Sequence, residues 1–212
     1  MDKLERVLPQ EIEARSFAII SEELASRGIA LEEAYAPIIK RVIHTTADFD
    51  YAENLAFSPG ALEAARKAWK EGANLVTDTQ MAKAGISKKA LESLGVKIYN
   101  YISDPDVAEM AKAAGTTRSA ACMDKAASLD GPTVFVIGNA PTALIRICEL
   151  VQEGRLEPAL VIAAPVGFVN VVQSKEQIQA LGVPYIVAKG RKGGSNVAAA
   201  IVNALLYLVY ER

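Results

Sequence analysis

Five short apolar segments alternate with helical patterns over the last two thirds of the chain. Each segment has four to six residues without regular polar alternation, which predicts parallel strands buried on both faces. The predicted strands are residues 74–78, 97–102, 133–137, 159–163 and 185–188, and the predicted helices are residues 87–94, 105–114, 118–129, 142–153, 175–181 and 195–210. This alternation predicts an α/β fold, a three-layer flavodoxin-like sandwich. Its five-stranded, mostly parallel sheet is expected in the strand order 2-1-3-4-5.

The first third of the chain has a different pattern, which predicts helices and no strand. Pro9 suits the start of a helix and Gly28 its end. Residues 31–44 then repeat apolar side chains at helical spacing, and Pro37 within them predicts a kink or a restart. Ser58 is the predicted N-cap of a third helix.

Composition restricts the kind of protein. A length of 212 residues suits a single domain, with a helical part (residues 1–72) followed by a sheet part (residues 73–212). The net charge of −2 argues against a nucleic-acid partner. We expect neither a secretory leader nor a membrane-spanning helix, because no apolar run is placed or long enough for either. Cys122 and Cys148 cannot form a metal cluster with the single histidine, and we expect buried free thiols in a cytoplasmic protein.

The last predicted helix, residues 195–210, is apolar nearly all round. Such a helix must be buried on most sides, and a sheet can cover only one of them. Neighbouring helices or a second subunit must cover the rest, and on this ground we predict a homodimer.

The single histidine, His44, is the first candidate for proton transfer near neutral pH. The preceding helical pattern places it in the last turn of a helix, where the helix dipole favours a positive charge. A protonated imidazole there suits the role of an acid. Arg41 lies one turn back on roughly the same face, so an anionic ligand could meet both side chains. A histidine that merely caps the helix is the alternative.

Glycine-rich loops are expected to form a ligand site where the predicted strands end. In a parallel sheet, ligands bind beyond the carboxyl ends of the strands. Residues 138–142 and 190–196 each open a helix there, so free backbone N–H groups face the expected site. Arg191, within the second loop, favours an anion, and Arg118 and Arg15 are further candidate donors. GxGxxG, GxxxxGK[ST] and GxSxG are all missing, so neither a nucleotide site nor a covalent nucleophile is predicted.

Seven segments of the chain, taken together and in order, resemble the precorrin-8X methylmutase family, also called cobalt-precorrin-8 methylmutase, of cobalamin biosynthesis. They are RSFAI (15–19), RVIHTTAD (41–48), DTQMA (78–82), TRSAA (117–121), GNAPTAL (138–144), APVGFVN (164–170) and GRKGGS (190–195). They span nearly the whole chain.

The resemblance implies an isomerase that moves a methyl group from carbon 11 to carbon 12 of precorrin-8X or cobalt-precorrin-8, giving hydrogenobyrinate or cobyrinate. It implies a flavodoxin-like homodimer that binds this carboxylate-rich tetrapyrrole near the subunit interface, with no organic cofactor and no metal of its own. The residue matching the family's catalytic acid is His44, and Ser16 and Arg41 match its substrate contacts. The full set of predicted substrate-binding residues is Arg15, Ser16, Arg41, Thr79, Arg118, Gly190, Arg191, Gly193, Gly194 and Ser195.

Two alternatives belong to other classes. The same loops would suit a protein that holds a corrinoid without transforming it. An α/β hydrolase or transferase acting on a phosphorylated metabolite is the second, and the missing nucleophile and phosphate motifs disfavour it.

Overall fold

Six strands form one sheet at the centre of the protein, for which the computed structural model describes residues 6–210. The strands are β1 (Leu55–Phe57), β2 (Asn74–Thr77), β3 (Lys97–Tyr99), β4 (Thr133–Ile137), β5 (Leu160–Ala163) and β6 (Tyr185–Ala188). After a 3₁₀ turn at Pro9–Glu11, the helices are α1 (Ile12–Ser26), α2 (Ala36–Thr46), α3 (Tyr51–Asn54), α4 (Ala61–Lys70), α5 (Gln80–Gly85), α6 (Lys88–Ser93), α7 (Pro105–Ala113), α8 (Arg118–Ala126), α9 (Pro141–Gln152), α10 (Val171–Ala180) and α11 (Ser195–Tyr207).

The sheet order is β1-β6-β5-β4-β2-β3, and strands β2 to β6 are all parallel to their neighbours. These are the five predicted strands in the predicted order 2-1-3-4-5, which is confirmed. The expectation of five strands and of a purely helical first third was wrong, because β1 adds an antiparallel edge strand. Leu55 pairs with Ala188 and Phe57 with Ile186. Three residues are too few to show a strand pattern, and β1 obtains its hydrogen bonds from β6.

Two layers of helices bury the sheet, one on each face. Along β4, Val134 and Val136 belong to one apolar cluster while Phe135 and Ile137 belong to the other. The first cluster includes buried side chains of α1, α2, α4, α6 and α11, and the second those of α7, α8, α9 and α10. Because both faces are covered, β5, β6 and residues 134–137 of β4 are apolar throughout, as the sequence pattern indicated.

The apolar helix α11 is covered from within the chain. It packs against strands β4 and β5 and against helices α2, α4, α5 and α6, and Ile201 and Leu206 have no exposed surface. Neighbouring helices, the first of the two predicted alternatives, therefore cover α11, so its apolar surface is no ground for a second subunit, and the homodimer stays a prediction. Along residues 6–210, no helix combines the length and the apolar character that crossing a bilayer requires.

Several helix boundaries differ from the sequence expectation. Pro37 lies in the first turn of α2, so it marks the start of the helix, and the predicted start at residue 31 was wrong. Gly60, not Ser58, caps α4, because the Ser58 hydroxyl instead accepts the Tyr185 N–H at 2.9 Å. Helix α5 was not predicted at all, and it follows β2 after a cap at Thr79.

Ala47, which ends the helix that carries His44, has a left-handed backbone conformation (φ 52°) and donates its N–H to the Ile43 carbonyl at 2.7 Å. Glycine adopts this conformation without the steric cost of a Cβ. Ala47→Gly should therefore raise the free energy of unfolding by about 1 kcal/mol in denaturant titrations. Ala114, which caps α7 in the right-handed region (φ −86°), is the matched control. Ala114→Gly should lower stability slightly, and equal effects at the two positions would contradict the assignment of strain to Ala47.

Candidate active site

The loops that follow β2, β4, β5 and β6 meet at the carboxyl edge of the sheet. The Thr79 and Ser195 hydroxyl oxygens are 2.7 Å apart, which joins the loop after β2 to the start of α11. Gly194 donates its N–H to the Ala164 carbonyl at 2.8 Å, and Gly167 donates to the Arg191 carbonyl at 3.2 Å. The four loops therefore form one continuous surface.

The carboxylate of Asp78 fixes the loop after β4. One oxygen accepts the Gly138 N–H at 2.8 Å, and the other accepts the N–H groups of Asn139 and Ala140 at 2.8 and 2.7 Å. Asp78 is only 2% exposed, and burial raises its pKa while the three N–H donors oppose that shift. Sequence analysis treated Asp78 only as part of a motif and missed this role.

The predicted glycine loop, residues 190–196, packs closely against the loops after β4 and β5. At two of these contacts a glycine leaves no room for a side chain. A Cβ on Gly138 would lie 2.7 Å from the Ser195 Cα, and one on Gly193 would lie 2.7 Å from the Pro165 carbonyl oxygen. Thr79 caps α5 by accepting the Ala82 N–H at 3.0 Å. The hydroxyls of Thr79 and Ser195 thus lie together at the amino ends of two helices, a setting that favours negatively charged ligand groups.

A buried lysine, Lys175 on α10, supports the glycine loop from beneath. Its ammonium donates to the carbonyls of Gly190 and Lys192 at 2.8 and 2.9 Å. The residue is 1% exposed, and burial lowers its pKa from 10.5 to about 8. No sequence motif pointed to Lys175, since a lysine in a helical segment normally lies on the surface.

Lys192 joins the glycine loop to the segment that follows α2. Its ammonium lies 2.6 Å from carboxylate oxygens of both Asp48 and Asp50. The hydrogen bond from Lys192 lowers the pKa of Asp48 below its ordinary value. Because Asp48 is four residues beyond His44, this ion pair ties the histidine-bearing segment to the glycine loop.

His44 lies in the last turn of α2, as predicted, and is exposed. Its ring stacks on Phe17 with centroids 5.3 Å apart and planes 27° from parallel. The Arg41 guanidinium lies over the same Phe17 ring at 4.9 Å and over the Tyr207 ring at 5.3 Å. We call His44, Arg41 and Phe17 the α1–α2 cluster.

Arg41 is engaged within the chain. Its guanidinium forms a 2.6 Å ion pair with Glu13 of α1. A substrate carboxylate that binds Arg41 must therefore compete with Glu13 or share the guanidinium with it. Sequence analysis had treated Arg41 as available, because nothing in the local pattern links it to a residue 28 positions away.

The remaining predicted binding residues lie in three places. Arg15 and Ser16 are on α1 next to Phe17, where Ser16 donates its hydroxyl to the Ile12 carbonyl at 2.8 Å. Arg118 begins α8, whose cap Thr117 bonds Thr142 of α9 at 2.9 Å. Arg191, in the glycine loop, lies 5.3 Å from the centre of the Phe168 ring. The structure thus brings Thr79 into contact with Ser195 and links the glycine loop to the α1–α2 cluster indirectly, through Lys192.

Exposed apolar side chains accompany these charges, and sequence analysis missed them. Phe168 and Val169, in the loop after β5, are 80% and 79% exposed, and Met81 at the start of α5 is 71% exposed. We call these three residues the apolar rim. Two grooves of about 600 and 730 Å³ lie elsewhere, around the amino end of β4 and on helices α7 to α9, and neither contains a predicted site residue.

The fold and the site together indicate a class of protein. A doubly wound sheet with N–H-rich loops, cationic side chains and one titratable histidine near its carboxyl edge is suited to an enzyme that acts on an acidic metabolite.

Comparison with known proteins narrows the class to one family. Residues 11–208 match the sequence model of precorrin-8X methylmutase. The chain is 46% identical to the cobalt-precorrin-8 methylmutase of Priestia megaterium over 95% of this chain and 89% of that protein. It is 47% identical to the cobalt-precorrin-8 methylmutase of Salmonella typhimurium, over 96% and 97% respectively. The crystal structure of the Thermus thermophilus precorrin-8X methylmutase superposes with a TM-score of 0.83 at 36% identity, covering 93% of this chain and 96% of that one. The chain belongs to the precorrin-8X methylmutase family and is a methyl-migrating isomerase of cobalamin biosynthesis.

The buried position of Lys175 predicts a pH dependence of stability. Its pKa is about 8 in the folded chain against 10.5 ordinarily, so between those values the unfolded state binds more protons. The free energy of unfolding should therefore rise with pH across this window. Over that range the free energy of unfolding of the wild type should rise by roughly 1–3 kcal/mol more than that of Lys175→Met, as measured by denaturant titration.

Lys189 is the matched control because it is an exposed lysine just before the same loop. Lys189→Met should keep the wild-type pH dependence. If Lys175→Met keeps it as well, the lysine does not titrate in this window.

Proposed function

We propose that His44 is the acid that drives methyl migration from carbon 11 to carbon 12 of precorrin-8X or cobalt-precorrin-8. The observation that supports it is the exposed imidazole at the carboxyl end of α2, held by stacking on Phe17 and lying beside Arg41. His44 is also the only histidine of the chain.

The chemistry needs one mobile proton and a well-held substrate. The imidazolium donates a proton to the macrocycle, which makes the conjugated ring electron-poor. The methyl group breaks its bond to carbon 11 and forms one to carbon 12. The neutral imidazole then takes a proton back from the macrocycle, which restores both the neutral ring and the imidazolium. General acid catalysis contributes roughly 10²–10⁴-fold, and positioning of the macrocycle supplies much of the remainder. Substrate and product are isomers, so no external oxidant or reductant takes part.

The substrate carboxylates are proposed to bind the charged and N–H-rich parts of the site. The glycine loop, with Gly190, Arg191, Gly193 and Ser195, offers backbone N–H groups and one guanidinium, while the Gly194 N–H is bound to the Ala164 carbonyl. Thr79 adds a hydroxyl in contact with Ser195, and Arg118 at the start of α8 is a further proposed contact. Arg15, Ser16 and Arg41 provide a second group of contacts next to His44.

The apolar rim is proposed to contact the faces of the macrocycle. Phe168, Val169 and Met81 are large, exposed and adjacent to the carboxyl edge, where a flat conjugated ring with acidic margins would cover them. The cytoplasm is the proposed location, since Cys122 and Cys148 are both free thiols.

A homodimer is proposed on different grounds from those that the sequence offered. Ile12 and Ile19 of α1 are 52% and 42% exposed, and their spacing of seven residues places them on one side of the helix. Leu8, before the 3₁₀ turn that precedes α1, is 55% exposed, and we call these three residues the α1 stripe. This α1 stripe borders Arg15 and Ser16. A second subunit that covers the stripe would therefore lie close to the proposed substrate contacts.

The dimer has a direct test. Light scattering should give about twice the monomer mass of 22.6 kDa at micromolar protein. Replacing Ile12 and Ile19 together by glutamate should yield a monomer and reduce turnover, because a buried charge opposes association. Met110→Glu, at an exposed apolar residue of α7, should leave the mass unchanged. A wild type that scatters as a monomer would refute the dimer.

The role of His44 is tested by His44→Asn, which keeps a polar group of similar size but has no acidic proton. Product binding, followed by absorbance titration, should stay within about tenfold of wild type. The single-turnover rate should fall by at least about 10²-fold, because the proton transfer is lost while ground-state contacts remain. Both precorrin-8X and its cobalt form serve as substrates in the assay.

The neighbouring change Thr45→Ala is the control and should retain most activity. Wild-type turnover by His44→Asn would make His44 a helix cap. A folded variant that neither binds nor reacts would make it a binding residue.

A further inference from the structure

We propose that Lys175 is a positioning residue of this reaction: its ammonium orients the peptide groups of residues 190–193, and through Lys192 it orients the segment that carries His44. The inference rests on the proposed function, because it assigns the glycine loop to the substrate. Lys175 does not itself face the substrate, since it is 1% exposed.

The contacts of Lys175 are both with one turn of the loop. An ammonium buried without hydrogen bonds is strongly unfavourable, and this one donates to the Gly190 and Lys192 carbonyls at 2.8 and 2.9 Å. The carbonyl between them, that of Arg191, accepts the Gly167 N–H at 3.2 Å. Three consecutive carbonyls are therefore held by groups of the surrounding protein.

The direction of these carbonyls fixes the direction of the N–H groups. In a trans peptide the N–H points opposite to the carbonyl of the same unit. The N–H groups of Arg191, Lys192 and Gly193 thus point away from the groups that hold the loop. Within residues 6–210, no protein acceptor takes a hydrogen bond from the Arg191 or Gly193 N–H, whereas the Lys192 N–H lies inside the turn at residues 190–191. The Arg191 and Gly193 N–H groups both point away from Lys175, and two free N–H groups on one side of a turn can bind an anionic oxygen. The ligand class is a carboxylate of the substrate.

The same turn also reaches the catalytic segment. The Lys192 ammonium is 2.6 Å from both Asp48 and Asp50, and Asp48 follows His44 by four residues. Lys175 holds the backbone of Lys192, and Lys192 holds the two aspartates. A turn released from Lys175 would lose both the orientation of its N–H groups and the fixed position of this ion pair.

The test compares Lys175→Met with Lys192→Met and with the double variant. Methionine fills the buried space without donating hydrogen bonds. Lys175→Met should weaken hydrogenobyrinate binding about 10-fold in absorbance titrations and lower the single-turnover rate at saturating substrate about 10-fold. Lys192→Met should lower the rate mainly. If the lysines act in series, the rate of the double variant should be no lower than about that of Lys175→Met alone.

A purely structural role predicts a different result. Lys175→Met would then change the melting temperature while the binding constant and the rate per folded molecule stayed at wild-type values, and this would overturn the proposal. Rate losses that multiply in the double variant would also overturn it. Lys189→Met also removes one positive charge near the loop and is the control. It should neither weaken hydrogenobyrinate binding nor show the non-additive rate loss expected when Lys175→Met is combined with Lys192→Met.

Two further outcomes are covered. Lys175→Gln keeps an amide donor that can reach one carbonyl, so it should give an intermediate effect, and it replaces the methionine variant if that variant does not fold. A wild type that binds hydrogenobyrinate without turning over substrate would remove the proposed function. The effect of Lys175 on hydrogenobyrinate binding would still decide whether the lysine orients the turn.

Discussion

Burial of the parallel sheet on both faces is the constraint on which the rest of this structure depends. Side chains of β4 alternate between two apolar clusters, so neither face is open to a ligand. The carboxyl ends of the strands are then the natural place for chemistry, because loops, free N–H groups and helix amino ends meet there. Burial of both faces of the sheet thus restricts a ligand site to this edge, whichever residues are catalytic.

Two buried charges of opposite sign shape that edge. Asp78 collects three N–H groups of the loop after β4, and Lys175 collects two carbonyls of the glycine loop. A buried ion is tolerated only when hydrogen bonds replace its hydration, so each loop is held in the one arrangement that supplies them. Neither charge faces the substrate directly. Their contribution is to fix the direction of the backbone groups that we propose bind the acidic substrate.

The proposed acid and the proposed substrate-binding surface lie in two different regions. The α1–α2 cluster carries the proposed acid, and its aromatic ring, Phe17, holds both His44 and Arg41. The glycine loop and the apolar rim form the proposed binding surface. The ion pairs of Lys192 with Asp48 and Asp50 connect the two regions, so the proposed binding surface and the proposed proton donor depend on the same loop. An unassisted methyl shift needs little more than these two functions.

Local sequence pattern determined most of the fold. Unbroken apolar segments such as residues 133–137 indicated buried strands, and the number of these strands suggested the sheet order. The helical repeat before His44 placed it in the last turn of α2. The motifs were sufficient for the family. These features are readable because periodicity records how each short segment is buried.

Only the tertiary structure decided the features that depend on distant partners. The strand β1 exists because β6 pairs with it, and Arg41 is engaged because α1 brings Glu13 against it. Lys192 forms an ion pair with Asp48, which is 144 residues away in the sequence. Lys175 is buried because the glycine loop folds over α10. A side chain's own neighbours in sequence carry no record of such contacts, since the energy of an ion pair or a buried hydrogen bond is set by which elements the whole fold brings together.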